Sequence, residues 1–282
     1  MKRVLLFFFL SLPISLLSQE TKKKDSIPKK WNAPTKVAFI LNQSTFSNWV
    51  AGGTNTVAGN LNVNQEFNYK KNNWNWDNKI TSAYGLSYVD GQGVRKTDDR
   101  LEYNSLLGYK TKKDWYFSFF NNLKTQFSKG YDYTKTPQVA ISSFFAPAYL
   151  SFGPGMLWKK SENKFINIAP STSRFTFVSP EFSGNYGVEE GKTSSFGLGF
   201  NLSSYYKFNI TENLTMENVL ALYADYLDNP QNVDIDYQMN FMVKISKYFS
   251  TNLGFHTIID DNASSRIQFK QLFGLGVNYV FL

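Results

Sequence analysis

The chain has 282 residues, no cysteine and a formal net charge of +8, and 17% of its residues are aromatic. The lack of cysteine excludes a disulfide framework and a lipid anchor on an N-terminal cysteine. Seven of the 30 basic and two of the 22 acidic residues precede position 36, so the remainder carries a net charge of only +3. The basic excess therefore belongs to a short N-terminal segment. With no basic-aromatic module beside it, we expect no nucleic-acid partner.

The N-terminal residues have the features of a cleavable signal peptide. Lys2 and Arg3 form a basic start, and an apolar stretch follows over residues 4–17. This stretch is interrupted by a proline and is shorter than the roughly 20 apolar residues of a spanning helix. We predict a signal peptide over residues 1–18 and a basic periplasmic tail over residues 19–35. Because no later apolar run is long enough for a helix, any membrane crossing would use strands.

From residue 36 to residue 282 the chain repeats segments in which apolar and polar side chains alternate. The last segment is the clearest, since it alternates for about three times the length of an ordinary strand. Pro154 predicts a bend or weak pairing in its own segment. Long alternation with one apolar and one charged face is typical of a transmembrane barrel, and the predicted fold is an all-β antiparallel transmembrane β-barrel of about 12 strands. In chain order the predicted strands cover residues 36–46, 58–69, 76–88, 101–109, 115–127, 148–158, 165–178 (less regular), 196–208, 214–226, 233–245, 253–259 and 265–282.

The connections between these strands alternate between two kinds. Bacterial barrels place short turns in the periplasm and longer loops outside the cell. With twelve strands both termini would lie in the periplasm, and the predicted location is the outer membrane. The short polar turns are residues 70–75, 110–114, 159–164, 209–213 and 247–250; the longer loops are residues 47–56, 89–98, 128–143, 179–193, 228–232 and 260–264.

The charged residues within the predicted strands share the face opposite the apolar set. A charge on the lipid face near the membrane centre costs roughly 2–4 kcal/mol for Arg or Lys, so this face is predicted to line the lumen. Asp77, Lys207 and His256 lie on it as well. The predicted lumen-facing charges are Glu66, Lys79, Arg100, Glu102, Lys124, Glu217, Asp225, Asp234, Asp236, Lys244, Arg266 and Lys270.

Turn geometry predicts two contacts among these charges. A turn centred between positions 72 and 73 places Glu66 directly opposite Lys79 near the periplasmic mouth. At the outer mouth, Asp225 would lie almost opposite Asp234, with Asp236 one lumen-facing position further in. Like charges in this arrangement are destabilising unless neutralised, so we predict that Arg266 or Arg100 pairs with them. The alternative is a small cation-attracting site at a channel entrance.

Several local runs resemble a family of Bacteroidota outer-membrane proteins catalogued as a domain of unknown function. The resemblance covers nearly the whole mature chain. It implies an outer-membrane β-barrel without an agreed activity, so no catalytic residue is carried over. The runs are Phe46-Ser47-Asn48-Trp49 before Gly52-Gly53, Asn68-Tyr69-Lys70-Lys71 before Trp74-Asn75-Trp76-Asp77-Asn78, Lys96-Thr97-Asp98-Asp99-Arg100, Thr125-Gln126-Phe127 with Gly130-Tyr131-Asp132-Tyr133, and Asp225-Tyr226-Leu227 before Asn229-Pro230.

The sequence predicts no catalytic residue, no metal site and no cofactor. His256 is the only histidine, so triad chemistry or multi-histidine metal binding would have to use it, and a hydrogen-bonded lumen residue is the better interpretation. Three acidic groups could bind Ca²⁺, namely Asp98-Asp99, Asp132 and Asp260-Asp261. They lack the spacing of a calcium loop and are interpreted as solvated acids.

Three functions compete on this basis. The preferred hypothesis is an accessory or structural subunit of an outer-membrane assembly, and we expect the chain not to be an enzyme. The alternative is a narrow passive channel or small-solute transporter, and a third, less favoured, is a barrel enzyme acting on envelope lipid. Lumen charges of both signs favour a partly filled interior, since wide aqueous pores need about 16–18 strands. The expected partners are outer-membrane lipid and other outer-membrane or periplasmic proteins.

Overall fold

A computed structural model describes residues 30–45 and 54–281. The predicted signal peptide, the first eleven residues of the predicted tail and most of the predicted loop at 47–56 lie outside the described residues. Among the residues described, none of the helical structure is long and apolar enough to cross a membrane.

The described residues form strands joined by turns and loops, with one short 3-10 helix at Pro180–Phe182. The long alternating segments of the sequence explain why strands form, because successive side chains of a strand point to opposite faces with different surroundings. The strands are β1 (Trp31–Asn32), β2 (Thr35–Ser44), β3 (Thr56–Glu66), β4 (Asn68–Lys71), β5 (Trp74–Val89), β6 (Gly93–Lys110), β7 (Trp115–Thr125), β8 (Gly130–Asp132), β9 (Val139–Ser142), β10 (Ala148–Ser161), β11 (Lys164–Phe177), β12 (Ser194–Asn209), β13 (Leu214–Asp225), β14 (Val233–Lys244), β15 (Phe249–Asp260) and β16 (Ser264–Phe281).

The long strands close into one antiparallel ring. Each pairs with the next along the chain, and β16 closes the ring by pairing with β2, where Phe281 lies opposite Thr35. β3 and β4 form a single wall strand interrupted at Phe67, since both pair with β5. The wall formed by the described residues therefore contains twelve strands, which confirms the predicted barrel. β1 adds two residues beside β4, and β8 and β9 form a separate hairpin.

The two ends of the barrel differ in their connections. One end of the barrel, here called the turn end, contains the start of β2 and the end of β16. It also contains four short turns and the two-residue turn between β4 and β5. At the other, the loop end, residues 126–147 and 178–193 form the longest connections that are fully described. One predicted loop, residues 89–98, is wrong. β5 continues to Val89 and β6 starts at Gly93, because Gly91 and Gly93 adopt positive φ angles of 77° and 79° and turn the chain in three residues.

The pairing of β10 with β11 is irregular, as Pro154 predicts. The register shifts between Phe152 and Met156, and β11 also shifts against β12 between Ala169 and Thr172. A Cβ at Gly153 would lie 2.3 Å from the carbonyl oxygen of Ser171. Glycine is therefore required here for the bulged backbone to approach its neighbour.

The wall has an apolar outer face and a polar inner face. Large apolar side chains on the outside are strongly exposed, such as Phe117 at 62% and Leu275 at 62%. The inner face buries polar groups, including Asn75, Asn167 and Lys159. An exposed apolar belt around a polar interior is the architecture of a transmembrane β-barrel.

Candidate functional site in the barrel lumen

The centre of the lumen is organised around Asp236 on β14. Its carboxylate forms an ion pair with Lys124 on β7. The other oxygen, Oδ1, lies 2.8 Å from Nε2 of His256 on β15. Because β7 and β14 are far apart in the ring, the pair with Lys124 spans the lumen. All three side chains were predicted to face inward, and the structure brings them together.

A second connection links opposite walls at β6 and β14. The Arg100 guanidinium donates to Oε1 of Gln238 at 3.0 Å and lies 3.9 Å from a carboxylate oxygen of Glu102. Asn104 and Asn122 also donate to Glu102, at 2.9 and 3.1 Å. Because β6 and β14 are halfway around the ring from one another, the Arg100–Gln238 hydrogen bond crosses the barrel interior, whereas the contacts of Glu102 stay on the wall formed by β6 and β7.

A third connection joins β6 to β16. Nζ of Lys270 lies 2.8 Å from Oδ1 of Asp98, and the amide of Asn60 donates to Oδ2 of the same residue at 3.0 Å. Sequence reasoning placed Lys270 in the lumen but assigned Asp98 to a loop. The regular alternation of Asp98 with Arg100 and Glu102 was the signal that could have placed it on the inner face.

A buried ion pair lies near the turn end. Nζ of Lys159 on β10 is 2.6 Å from Asp77 on β5 and 2.7 Å from Glu162, while Asn75 donates to Asp77 at 2.7 Å. The Lys159 side chain is only 5% exposed. Lys159 falls in the turn predicted over residues 159–164, although its parity with the inward positions of β10 indicates the lumen.

At the loop end, Asp234 pairs with Arg174 on β11. The Arg174 guanidinium also stacks 3.4 Å from the ring centre of Tyr223. The expected kind of partner, a guanidinium, is therefore present, but the choice of Arg266 or Arg100 was wrong. Arg174 belongs to the segment whose alternation is broken by Pro170, which hid its inward orientation in the sequence.

The predicted opposition of Asp225 and Asp234 is also wrong. The register of β13 and β14 pairs Tyr223 with Asp234. Asp225 lies two positions nearer the loop, where its Oδ1 accepts a hydrogen bond from the backbone N–H of Leu227 at 2.9 Å. The loop begins earlier than the sequence suggested, so the turn centre is displaced.

Carboxylates nevertheless gather at the loop end. Oxygens of Asp234, Asp260 and Asp261 lie within 4.8 Å of one another, and they line a cavity of about 460 Å³. Carboxylate oxygens suit hard cations. Since Asp234 is already paired with Arg174, this set is an acidic lining rather than a prepared metal site.

At the turn end, the predicted register of Glu66 and Lys79 is confirmed, since the two residues lie directly opposite one another. Their side chains, however, contact other residues. Glu66 lies 3.4 Å from Nζ of Lys36, and the Lys79 ammonium is 6.0 Å from the ring centre of Tyr205. Register is set by the short turn, whereas ion pairing depends on residues from strands that are distant in sequence.

Two other predicted charges lie nearer the turn end. Glu217 on β13 is directly opposite Lys207 on β12. Lys244 is opposite Ser250 at the start of β15 and is exposed. These side chains lie on the side of the central network that faces the turn end.

The loops at the other end form an ordered cap. Asp99 accepts hydrogen bonds from the backbone N–H groups of Phe127 and Ser128, at 2.7 and 3.0 Å, and from Lys96 at 2.7 Å. The hydroxyl of Tyr133 accepts from the backbone N–H of Lys96 at 3.0 Å. Two of the runs that carry the family resemblance, at 96–100 and 125–133, thus meet at this point.

The two long loops also share a small apolar core. Phe182 and Val188 from one loop are buried with Ala146 from the other and with Val178. The Tyr186 hydroxyl donates a hydrogen bond to the carbonyl oxygen of Ile141. The cap is consequently a packed unit at the loop end of the barrel.

Comparison with known proteins finds a family model that covers less than half of the chain. Residues 41–131 match a family model described as a protein of unknown function (DUF3078). No curated protein matches the chain.

Three solved structures illustrate the similarity in shape. An outer-membrane channel from Pseudomonas putida F1 is 9% identical with a TM-score of 0.40, covering 93% of this chain and 99% of that one. The NanC porin is 9% identical with a TM-score of 0.37, covering 88% and 97%. The translocator domain of the autotransporter NalP from Neisseria meningitidis is 8% identical with a TM-score of 0.34, covering 91% and 90%. The fold assignment itself rests on the closed ring of hydrogen-bonded strands.

Proposed function

We propose that this chain is an exported outer-membrane β-barrel of a Bacteroidota-type envelope that serves as an accessory or structural subunit of a membrane assembly. The observation that carries the proposal is the set of ion pairs crossing the lumen from Lys124 to Asp236 and from Asp98 to Lys270. Such pairs fill the interior that an open pore would need. The proposal includes no reaction and no cofactor.

Because the lumen is filled, a partner would bind the outer surfaces of the barrel. The loop cap presents exposed apolar residues, among them Phe144 at 65% and Ile141 at 48%. At the turn end the connections are short and rich in lysine. These rims are the surfaces through which a barrel with a blocked lumen would contact other proteins.

Co-purification tests the proposal most directly. The tagged full-length chain is cross-linked in native cells, extracted in a mild detergent and analysed by mass spectrometry. We expect a stoichiometric outer-membrane or periplasmic partner, with a tagged unrelated barrel from the same cells as the control. Recovery of the chain alone, monodisperse and without cross-links, would contradict the accessory role.

A narrow channel is the second candidate, favoured by the acidic cavity of about 460 Å³ at the loop end. Planar-bilayer recording separates the two. The accessory role predicts no steady conductance for the native chain, and a rise when the crossing pair is removed in the double variant Lys124→Gln, Asp236→Asn. A steady, cation-selective native current that is lost in Asp234→Asn would support the channel instead.

Orientation is tested by epitope tags on intact cells. A tag within residues 128–143 or 179–193 should be accessible from outside, and a tag at Lys112 should be protected. Antibody binding to the Lys112 tag alone would show that the barrel is inverted.

A further inference from the structure

Tryptophan is confined to one end of the described barrel. The sequence contains six tryptophans, and five of them lie in the part of the chain that the structure describes. Interfacial tryptophan and tyrosine mark the head-group level of a membrane. Rings at this end contact one another, with Trp31 4.9 Å from Tyr69 and Trp74 4.9 Å from Tyr109, measured between ring centres. The five are Trp31, Trp74, Trp76, Trp115 and Trp158, all at or beside the turn end.

The part of the turn end that carries these rings is strongly basic. Three consecutive hairpin turns there hold many lysines and few acids, whereas the loop end concentrates acids such as Asp228, Glu189 and Asp261. The two mouths of the barrel therefore have opposite electrostatic character. Within residues 70–75, 110–114 and 159–164 the lysines are Lys70, Lys71, Lys110, Lys112, Lys113, Lys159, Lys160 and Lys164, and the acids are Asp114 and Glu162.

Lys164 departs from the rule that charges in the wall face the lumen. It begins β11 and shares the outward parity of Ile166 and Ile168. Its Nζ lies 4.9 Å from the ring centre of Tyr206 and 5.7 Å from that of Trp158. The half-buried Trp158 and the exposed Tyr206 thus hold a single ammonium on the membrane side, next to the turn that follows Lys160.

The position of this lysine leaves its positive charge available to an anion. A lysine on the lipid face is costly at mid-membrane but nearly free of cost at the interface. Aromatic faces attract and orient the ammonium without neutralising it. The neighbouring Lys160 is exposed and shares the outward parity of Trp158 on β10. Two positive charges therefore flank one hairpin turn. The group that completes this arrangement at head-group level is a lipid phosphate.

We propose that Lys164, clamped between Trp158 and Tyr206 and assisted by Lys160, binds the phosphate of an anionic phospholipid at the turn end. The inference rests on the membrane placement given under the proposed function. An acidic protein partner would meet the same lysines, but the outward, aromatic-framed setting of Lys164 at the apolar belt favours lipid.

Native mass spectrometry tests the site on the full-length mature chain. The protein is refolded into vesicles of phosphatidylcholine alone and of equal parts phosphatidylcholine and phosphatidylglycerol, then released gently so that retained lipids can be counted. We expect the native chain to retain phosphatidylglycerol in preference to phosphatidylcholine. In Lys164→Gln the preference should fall about fivefold, as expected for one basic residue lost near an anionic surface.

Two further variants keep the test specific. Lys164→Arg should retain the preference, because it preserves charge and ring contact. Lys192→Gln, which removes an exposed lysine of the loop end, should leave it unchanged. Heat-modifiable migration on gels confirms folding of each variant.

The outcomes separate the lipid site from the membrane placement. Insertion into both vesicles without a preference for phosphatidylglycerol, or equal preference in the native chain and Lys164→Gln, overturns the lipid site alone. Failure of the native chain to insert into either vesicle overturns the placement as well. A protein partner lost specifically from Lys164→Gln, with lipid retention unchanged, would reassign the lysines to protein docking.

Discussion

The inner and outer faces of the barrel wall alternate residue by residue but follow different rules. On β14, Asp234 and Asp236 point into the lumen and pair with residues from distant strands. Between and beside them, Ile235 and Tyr237 occupy the outer face. A slip of one residue in register would exchange the two sets, so the pairing of every wall strand is strongly specified.

The difference shows that the faces tolerate change in different ways. The outer face needs apolar character at the positions near the membrane centre, where each side chain is surrounded by interchangeable apolar groups. The inner face needs particular partners, because a buried charge that loses its partner is costly. Substitutions on the inner face should therefore depend on identity, and substitutions on the outer face on polarity.

The largest effect is expected at the centre of the lumen. Asp236→Ala leaves Lys124 and His256 without their shared carboxylate, and breaking a buried pair in this way costs about 3–5 kcal/mol. The free energy of unfolding from lipid vesicles in urea measures this. Asp228→Ala, an exposed loop acid, is the matched control. If the two variants lose similar stability, the central network is not a specific feature of the inner face.

On the outer face, Leu202→Arg should cost about 2–4 kcal/mol. Leu202 lies near the middle of β12, opposite Ile168 and Leu222 on its two neighbours, so the charge would enter an apolar surrounding. The neighbouring inward residue is altered as a control in Ser203→Asn, which the polar lumen should accept with little loss. Unfolding equilibria in the same vesicles give both values, and equal losses would contradict the assignment of faces.

The sequence predicted the twelve strands and their two faces because alternation and charge placement are local properties. It predicted the register of Glu66 with Lys79 because a two-residue turn determines it. It did not predict which charges meet, since partners such as Lys124 and Asp236 are brought together only by closure of the ring. Arg174 was missed because Pro170 breaks the alternation on which orientation was judged.

The cap depends on weaker contacts than the lumen, so its variants should have smaller effects. Tyr186→Phe removes the hydrogen bond to the carbonyl oxygen of Ile141 and should cost about 0.5–1.5 kcal/mol. Hydrogen exchange of the loops at 126–147 and 178–193 should rise while exchange in the wall strands stays unchanged. Tyr88→Phe, at an exposed position, serves as the control. Faster exchange throughout the wall would show that the cap is not a separate unit.

The same residue gives a pH dependence of defined sign. Burial raises the pKa of the Tyr186 hydroxyl above its ordinary value of 10.0. A group whose pKa is raised in the folded state contributes stability below its unfolded pKa and loses it as pH rises through the folded pKa. The cap should therefore be fully protected at neutral pH and lose protection only above about pH 10, a loss that Tyr186→Phe should reduce.

The smallest effect is expected at the turn-end rim, where Glu66 has two basic neighbours. Nζ of Lys36 lies 3.4 Å from Glu66, and the Lys36 side chain is 49% exposed, whereas Lys79 is opposite in register but turned toward Tyr205. Exposed pairs contribute about 0.2–1 kcal/mol and are screened by salt. Double-mutant cycles with Glu66→Gln should give a coupling in this range for Lys36→Gln and a smaller one for Lys79→Gln, both reduced at high salt. A coupling with Lys79 as large as that expected at Asp236 would mean that the rim follows the rules of the buried lumen, and the distinction between central and peripheral charges would fail.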